Sequence, residues 1–332
     1  MENKKQKTIG IGLLFLEVSL LFALFSFVPS GVIAGIGIDN TTVDTWLQVG
    51  NVFPDILNVT INNDNAITLT PNATTLVSCV AVIRDYNGDS DIAMVNATFY
   101  DSASSSEAVD DNNDHYSNSS CERIAGSEMY KGWNLSDDYH SLANCTFEVE
   151  YYANADPNWV CNVTVEDNLT WSDTKWNTEE ISTMLALGLP NVINYTKVNA
   201  TEVSPEQVAN VTNFGNVQFN LSLESYGVTR GDGFAMNCTL GNIGTIDAMY
   251  QKYNLTNSTL TTPPSLSDFE LTYINMTSTG APEIRQFELA SRTNDTVNEA
   301  IKPTYWRIYV PKGVAGQCTG KIIFGANPDV GI

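Results

Sequence analysis

Residues 85–91 read Asp-Tyr-Asn-Gly-Asp-Ser-Asp, which places oxygen-bearing side chains at every second position. These residues are Asp85, Asn87, Asp89 and Asp91. Calcium in proteins takes about six to eight oxygen ligands and prefers carboxylates among them. The segment departs from an EF-hand loop, because its glycine is at the fourth position and not the sixth. The sequence therefore predicts no cofactor except a calcium ion at these four residues, and the alternative is a polar turn between strands.

Six cysteines form the second set of reactive side chains: Cys79, Cys121, Cys145, Cys161, Cys238 and Cys318. An even number in an exported chain predicts three disulfides, and the lack of a Cys-x-x-Cys motif argues against thiol redox chemistry or a zinc site. Cys79 and Cys161 each lie within an alternating strand with their side chains inward, which predicts a bond between two sheets. Cys121 and Cys145 would close the polar segment between them, and the other two cysteines then form the third pair.

Catalytic side chains are scarce in this chain. Its two histidines, His115 and His140, both fall in the polar segment 101–141. The sequence contains no Gly-x-Ser-x-Gly, His-Glu-x-x-His or phosphate-binding glycine-rich loop. Carboxylates are so common that no pair of them is diagnostic of glycoside hydrolysis. The sequence predicts no enzymatic activity.

The composition restricts the class of partner. The net charge of −22 repels phosphate backbones, so the sequence predicts no nucleic-acid partner. Hydrophobic residues make up 43% of the 332 residues, which is enough for folded cores and excludes global disorder. The length favours two domains of medium size.

The N-terminal segment predicts export. Three lysines, at positions 4, 5 and 7, precede the apolar run 9–28 and small residues around Ala34. This pattern predicts a signal peptide or a membrane anchor over residues 1–34, and any membrane contact would be through this segment if it stays uncleaved. Glu17 is the fifth residue after Gly12, a spacing that resembles the leader of type IV prepilins. A pilin-like filament subunit is therefore one alternative function.

Asn-x-Ser/Thr triplets occur eighteen times, against about six expected from the composition. The predicted glycosylation sites are Asn58, Asn72, Asn96, Asn118, Asn134, Asn144, Asn162, Asn168, Asn194, Asn220, Asn237, Asn254, Asn275 and Asn294. Residues i and i+2 of a strand share a face, so the triplets at 58, 96, 144, 162 and 220 are predicted to place both polar residues toward solvent. The alternative explanation is that strands rich in Asn and Thr produce such triplets by alternation alone.

Alternating apolar and polar residues predict short strands throughout the chain, for example over 145–151 and 159–165. The predicted fold class is all-β, with two Ig-like antiparallel β-sandwich domains after an N-terminal hydrophobic signal or anchor helix. The first domain covers residues 36–186 and contains a long polar insertion at 101–141. The second domain covers residues 187–332.

Three motifs carry a resemblance to a known group of proteins. They are Asp-Tyr-Asn-Gly at 85–88, Trp-Val-Cys-Asn-Val-Thr at 159–164 and Tyr-Trp-Arg-Ile-Tyr-Val-Pro at 305–311. The chain resembles archaeal secreted and cell-surface proteins with Ig-like β-sandwich repeats, of the S-layer-like type. This resemblance implies an extracellular structural or interaction glycoprotein of the cell envelope, which would bind other envelope proteins or copies of itself. A carbohydrate-binding adhesin that uses Trp171 and Trp176 is the second alternative.

Overall fold

The structure is a computed structural model that describes residues 42–124, 129–258, 260, 263–293, 295 and 300–328. The chain divides into two compact units, Met1–Gly50 and Asn51–Ile332. In the first unit, residues 42–50 are irregular and exposed. The predicted signal or anchor helix at 1–34 lies outside the described residues. No helix in the described part of the chain has the length and apolar character needed to cross a membrane.

The unit Asn51–Ile332 is built from short antiparallel strands. In chain order the strands are β1 (Asp55–Ile61), β2 (Thr75–Arg84), β3 (Ile92–Asp101), β4 (His115–Asn118), β5 (Glu122–Ile124), β6 (Met129–Tyr130), β7 (Trp133–Asn134), β8 (His140–Val149), β9 (Asp156–Asp167), β10 (Ser172–Ile181), β11 (Leu187–Gly188), β12 (Gln207–Asn213), β13 (Phe219–Tyr226), β14 (Phe234–Gly241), β15 (Thr245–Asp247), β16 (Gln251–Asn254), β17 (Ile274–Asn275), β18 (Glu283–Leu289), β19 (Ile301–Ile308), β20 (Val314–Thr319) and β21 (Lys321–Pro328). The described residues of this unit also form one α-helix, α1 (Leu266–Thr272), and single 3-10 turns at Asn62–Asp64, Asp89–Asp91 and Ala248–Tyr250. With about 50% strand and 6% helix, the all-β prediction is confirmed, while the Ig-like description of the domains stays a prediction.

Two four-stranded sheets contain eight of the first ten strands. One has the order β1-β2-β8-β5, and the other has the order β10-β9-β3-β4. Their inward side chains form one buried core, because apolar residues recur at every second position of β2, β3, β8 and β9. Trp159 lies in this core with its ring 4.8 Å from that of Phe99. Its indole nitrogen donates to the carbonyl of Asn154 at 2.9 Å, so burying the tryptophan leaves no donor unpaired.

The segment 101–141, expected to be a polar insertion, contributes four short strands. β4 extends the second sheet and β5 extends the first. β6 and β7 form a hairpin, and its Trp133 packs over Val82 and Leu142 on the outer face of β2 and β8. The segment lies at the edges and outer face of the sandwich, and every residue of β5, β6 and β7 is exposed or half-buried, which fits its polar composition.

The outer edge of β1 is hydrogen-bonded by side chains of β10. The Asp173 carboxylate accepts from the amide of Ile56 at 2.8 Å. The Lys175 ammonium donates to the carbonyl of Leu57 at 2.9 Å and to that of Ile56 at 3.2 Å. The Asn177 side chain donates to the carbonyl of Val59 at 2.9 Å. These three β10 side chains share one face of their strand and close the gap between the two sheets.

Three further sheets contain the strands from β11 onward. Their orders are β11-β12-β19-β16-β17, β18-β13-β21 and β15-β14-β20. Trp306 of β19 is fully buried among their apolar residues, and its indole nitrogen donates to the Thr304 hydroxyl at 2.8 Å. Helix α1 begins at a Ser265 cap, whose hydroxyl accepts from the amide of Asp268, and it buries Phe269. The predicted domain boundary at 186/187 falls between β10 and β11 and stays a prediction.

Three disulfides join the same pairs that the sequence predicts. Cys79–Cys161 connects β2 to β9 and therefore links the two sheets of the first core. Cys121–Cys145 ties the start of β5 to β8. Cys238 and Cys318 face each other directly across β14 and β20, with Cα atoms 4.0 Å apart.

Candidate functional site

Two aspartates end the inward-facing rows of the strands that Cys79–Cys161 joins. In β2, Val77, Cys79, Ala81 and Ile83 point inward, and Asp85 continues that row directly after the strand. In β9, Cys161, Val163 and Val165 point inward, and Asp167 continues the row as the last residue of the strand. Each aspartate lies six positions after the cysteine of its own strand. The two carboxylates therefore meet at the same end of the sandwich.

A third carboxylate completes the cluster. Asp91 ends the 3-10 turn before β3, and the pairing of β3 with β9 sets the neighbouring Ile92 opposite Asp167. One carboxylate oxygen from each of Asp85, Asp91 and Asp167 lies within 4.8 Å of the other two. Asp85 is 0% exposed and Asp167 is 1% exposed, whereas Asp91 is half-buried. We call these three residues the aspartate cluster.

Local hydrogen bonds hold the aspartate cluster in place. Asp85 Oδ1 accepts from the amide of Asn87 at 2.8 Å, and Asp91 Oδ1 accepts from the side chain of Asn168 at 3.0 Å. Asp167 Oδ1 accepts from the amides of Leu169 and Trp171, both at 2.8 Å. Its Oδ2 accepts from the side chain of Asn51 at 2.6 Å. Asp85 Oδ2 is buried and has no hydrogen-bond partner.

The two buried carboxyls of the aspartate cluster differ in acidity. Burial raises the pKa of Asp85, the amide of Asn87 opposes this, and the charges of Asp91 and Asp167 raise the pKa further. Burial alone would also raise the pKa of Asp167. The pKa of Asp167 is nevertheless lowered, because its carboxylate accepts hydrogen bonds from the Asn51 side chain and from the amides of Trp171 and Leu169, and these outweigh the effect of burial. Asp167 is therefore a fixed negative charge next to Asp85.

The aspartate cluster contains only two of the four predicted calcium ligands. Asn87 is exposed, and its Oδ1 accepts from the amide of Val52 at 2.7 Å. Asp89 does not belong to the cluster, and its backbone carbonyl accepts from Arg123. The third carboxylate is Asp167, which is not among the residues predicted from the sequence. Its position two residues after Val165, in the inward row of an alternating strand, is the signal that identifies it.

Other buried charges in the described residues have partners. Glu224 is 0% exposed and forms an ion pair with Arg230 at 2.7 Å. Lys252 is 1% exposed and forms an ion pair with Glu270 at 2.6 Å. Buried Arg307 donates to the Tyr273 hydroxyl at 2.8 Å and to the Ser204 carbonyl at 3.0 Å. The aspartate cluster takes part in none of the ion pairs that the described residues form.

The histidines form aspartate pairs without a nucleophile. Buried His115 contacts Asp110 through Nδ1 at 2.8 Å, and Ser117 donates to the other oxygen of Asp110 at 2.7 Å. His115 Nε2, the atom that would activate a hydroxyl or a thiol, is buried and has no hydrogen-bond partner. His140 contacts Asp137 at 2.8 Å on the surface. Neither arrangement is that of a nucleophile and its general base.

The predicted glycosylation sites differ in exposure. Exposed asparagines include Asn72, Asn134, Asn168, Asn194, Asn237 and Asn275. Half-buried asparagines are Asn58, Asn96, Asn118, Asn144, Asn162 and Asn254. Asn294 lies outside the described residues.

The solvent-facing prediction is wrong for Asn220, which is 1% exposed, and for Ser222 of the same triplet, which is 6% exposed. It is also wrong for Thr60 of the triplet at 58, which is 1% exposed because the end of β1 is buried on both faces. Asn220 Oδ1 accepts from the amides of Phe287 at 2.7 Å and Glu288 at 2.9 Å. β13 lies between β18 and β21 and is covered on both faces, so alternation along it does not separate a wet face from a dry one.

The two tryptophans assigned to sugar binding differ in their surroundings. Trp171 is 37% exposed and stacks on Phe53, with ring centroids 4.2 Å apart. Trp176 is 64% exposed on β10, directly opposite Asn162 of β9. Only Trp176 presents most of its ring to solvent.

A cavity of about 580 Å³ lies between residues 192–198 and β20. Ile193, Val198, Met236 and Ile246 contribute apolar surface to its lining. Lys197 is the one charged residue that lines it. The acid–base groups of its lining are the Lys197 ammonium and the Tyr195 phenol, with no carboxylate or histidine among the lining residues.

No protein-family model matches the chain, and no curated protein matches it. Similar solved structures include dimeric latent PorU from Porphyromonas gingivalis, at 12% identity and a TM-score of 0.25 over 82% of this chain and 20% of that one. A chaperone–tip adhesin complex of CFA/I fimbriae is similar at 11% identity and a TM-score of 0.28, over 83% of this chain and 82% of that one. The secreted serine protease VesC from Vibrio cholerae is similar at 7% identity and a TM-score of 0.19, over 82% of this chain and 51% of that one. The chain thus spans about one fifth of PorU and half of VesC. Similarity this weak carries no argument about function.

The described residues define an all-β protein that is bonded internally by three disulfides.

Proposed function

We propose that this protein is an extracellular structural or interaction glycoprotein of a cell envelope, and that it acts by binding and not by catalysis. Its partners would be other envelope proteins or further copies of the same chain. The observation that carries the proposal is that all six cysteines are consumed in three disulfides within an all-β fold. Stable disulfides of this kind are typical of oxidising, extracellular compartments.

Two further features support this proposal. Six of the predicted glycosylation sites have exposed asparagines, where a glycan fits on the folded protein. The histidine pairs lack a hydroxyl or thiol at the nitrogen that would act as a base. Both features fit a surface protein better than a hydrolase.

Imaging a tagged copy in its native cells tests the location. We expect electron microscopy to show the tag on the outer surface, and added protease to remove the tag from intact cells. Mass spectrometry without reduction should show all six cysteines oxidised. A tag that is protected inside the cell, with reduced cysteines, would contradict the proposal.

The mass of the mature N-terminus separates the envelope protein from the filament subunit. A chain that starts near residue 35 has lost its apolar segment and supports a released or lattice-bound protein. A chain that starts at Leu13 keeps that segment and supports the pilin-like alternative.

The exposure of Trp176 favours a second candidate, a carbohydrate-binding adhesin. An exposed indole is a stacking surface for a sugar ring. A glycan array should then show binding that Trp176→Ala abolishes. The control is Trp171→Phe, which changes the tryptophan that stacks on Phe53 and should retain binding. An array without binding excludes this candidate.

A further inference from the structure

We propose that the aspartate cluster of Asp85, Asp91 and Asp167 is a calcium site that locks one end of the first sandwich. The proposal rests on the proposed extracellular function in one respect, because calcium there reaches the millimolar concentrations that low-affinity sites need.

The unpartnered oxygen of Asp85 is the first argument. Asp85 Oδ2 is buried and bonded to nothing, although buried polar atoms in folded proteins nearly always have a partner. The residue belongs to the group whose carboxylate oxygens converge within 4.8 Å. A cation among these oxygens supplies the missing partner.

The uncompensated charge is the second argument. Asp85, Asp91 and Asp167 are three acids without a lysine or arginine in ion-pair contact among the described residues. Glu224, equally buried, has Arg230 as its partner. Asp101 is also buried, but each of its oxygens accepts a hydrogen bond, from Ala103 or Asn154. Burial and neighbouring negative charges both disfavour the ionised form of a carboxyl group, and a cation bound between the carboxylates offsets both effects.

The donor set selects the kind of cation. All three groups are carboxylates, whereas zinc sites draw on cysteine and histidine. Calcium accepts irregular sets of oxygen ligands from separate chain segments, with water completing the shell, and magnesium demands a regular octahedron. The cluster draws on the β2–β3 connection and the end of β9, which are distant in sequence. Such a set fits calcium.

A bound ion has a clear structural consequence. It holds the β2–β3 connection against the end of β9. The Cys79–Cys161 disulfide already joins β2 to β9, so the ion adds a second link between these two strands. Asp167 also binds the side chain of Asn51, the first residue of the unit Asn51–Ile332. Calcium therefore stabilises the point where the chain enters this unit.

Calcium titration of the purified full-length protein tests the site. We expect 2 mM calcium to raise the Tm by about 3 °C over EDTA-treated protein, for a Kd of about 0.3 mM, and magnesium to do so less. Asp85→Asn should abolish the shift, and its Tm in EDTA should equal or exceed that of the wild type because one buried charge is gone. Asp91→Asn, at the half-buried position, should weaken calcium binding at least tenfold by isothermal titration.

Asp89→Asn is the matched control, because it removes a carboxylate from the same turn but outside the cluster. It should keep the full response to calcium. Terbium luminescence excited through tryptophan gives a direct readout, since Trp171 is bonded to Asp167 through its amide. Asp85→Asn should abolish this signal.

An unchanged Tm with no heat of calcium binding would overturn the proposal. So would an equal loss of response in Asp85→Asn and Asp89→Asn, or an equal response to magnesium. These measurements use purified protein and are independent of where the protein resides. Failure of the calcium site is therefore distinguishable from failure of the proposed cell-surface location.

Discussion

Cys79 and Cys145 lie directly opposite each other on β2 and β8, yet each is bonded to a different cysteine. Cys79 reaches across the core to Cys161, and Cys145 reaches sideways to Cys121. Opposed residues of antiparallel strands have a Cα separation that a disulfide can span. The protein itself has such a bond at Cys238–Cys318. A rival pairing of Cys79 with Cys145 is therefore within reach.

Cys161→Ser should cause disulfide exchange. The freed Cys79 thiolate attacks Cys145, the Cys79–Cys145 bond forms, and Cys121 leaves as a thiolate. Alkylation followed by peptide mapping should find the label on Cys121. In the control Cys79→Ser, the free thiol is on β9 and the Cys121–Cys145 bond should persist. Intact Cys121–Cys145 in every molecule of Cys161→Ser would contradict this prediction.

Asp232 should be a major contributor to the stability of its turn. Its carboxylate accepts from the amides of Gly227, Val228, Thr229 and Phe234. Asp232→Asn replaces one acceptor oxygen with a donor that faces two of these amides, so we expect the free energy of unfolding to fall by about 2 kcal/mol. Urea denaturation at pH 7 measures this loss. Asp247→Asn is the control, because Asp247 caps a turn through a single amide, that of Met249.

The contribution of Asp232 should depend on pH. Burial alone would raise its pKa, but the four amides outweigh burial and hold the pKa of Asp232 far below its usual value. A lowered folded-state pKa gives stability that is fully present above the unfolded pKa of about 3.9 and is lost as the pH falls below it. The difference between wild type and Asp232→Asn should therefore shrink from pH 7 to pH 3. A difference that grows in acid would refute this assignment.

Asn220 should carry no glycan, and its side chain should be needed for the fold. Asn220→Ala leaves the amides of buried Phe287 and of its neighbour Glu288 without their acceptor, so we expect a loss of about 2 kcal/mol in the free energy of unfolding. Asn237→Ala, at an exposed triplet, should change stability by less than about 0.5 kcal/mol. Glycopeptide mass spectrometry should find Asn220 unmodified. A glycan on Asn220 in folded protein would contradict the prediction.

Lys175→Met should weaken the closure between β1 and β10. The substitution keeps the apolar stem of the side chain but removes its donors to the carbonyls of Ile56 and Leu57. We expect a loss of about 1 kcal/mol in the free energy of unfolding. Lys197→Met changes an exposed lysine outside the sheets and serves as the control. Equal losses in both variants would show that charge alone, and not the closure, is responsible.

Local alternation along the chain was enough to predict the all-β class and the inward direction of Cys79 and Cys161. The same alternation also leads to Asp167, which follows Val165 in the inward row of β9. The four predicted calcium ligands do not include this residue, because they are all neighbours in sequence. Asp91 and Asp167 meet through the register of β3 with β9, which composition and spacing within one segment do not reveal.

The burial of Asn220 depends on packing against both faces of β13. The sequence Phe-Asn-Leu-Ser-Leu alternates like a half-exposed strand, but the seven consecutive residues from Phe219 to Ser225 are all buried, so neither face of β13 is open to water. The strands of 101–141 were missed for a related reason. They are only two to four residues long, so their pairing defines them better than their own sequence does: β4 and β5 pair with longer strands, and β6 pairs with β7.

The side chains of Asp173, Lys175 and Asn177 also determine how molecules of this protein can approach one another. An open strand edge is a template on which a strand of another chain can add, and this is a common start of aggregation. Along β1, peptide groups of Ile56, Leu57 and Val59 that a foreign strand would use are already engaged. Crowded copies therefore cannot extend the first sandwich into a continuous intermolecular sheet through this edge. An ordered assembly of this protein has to use other surfaces.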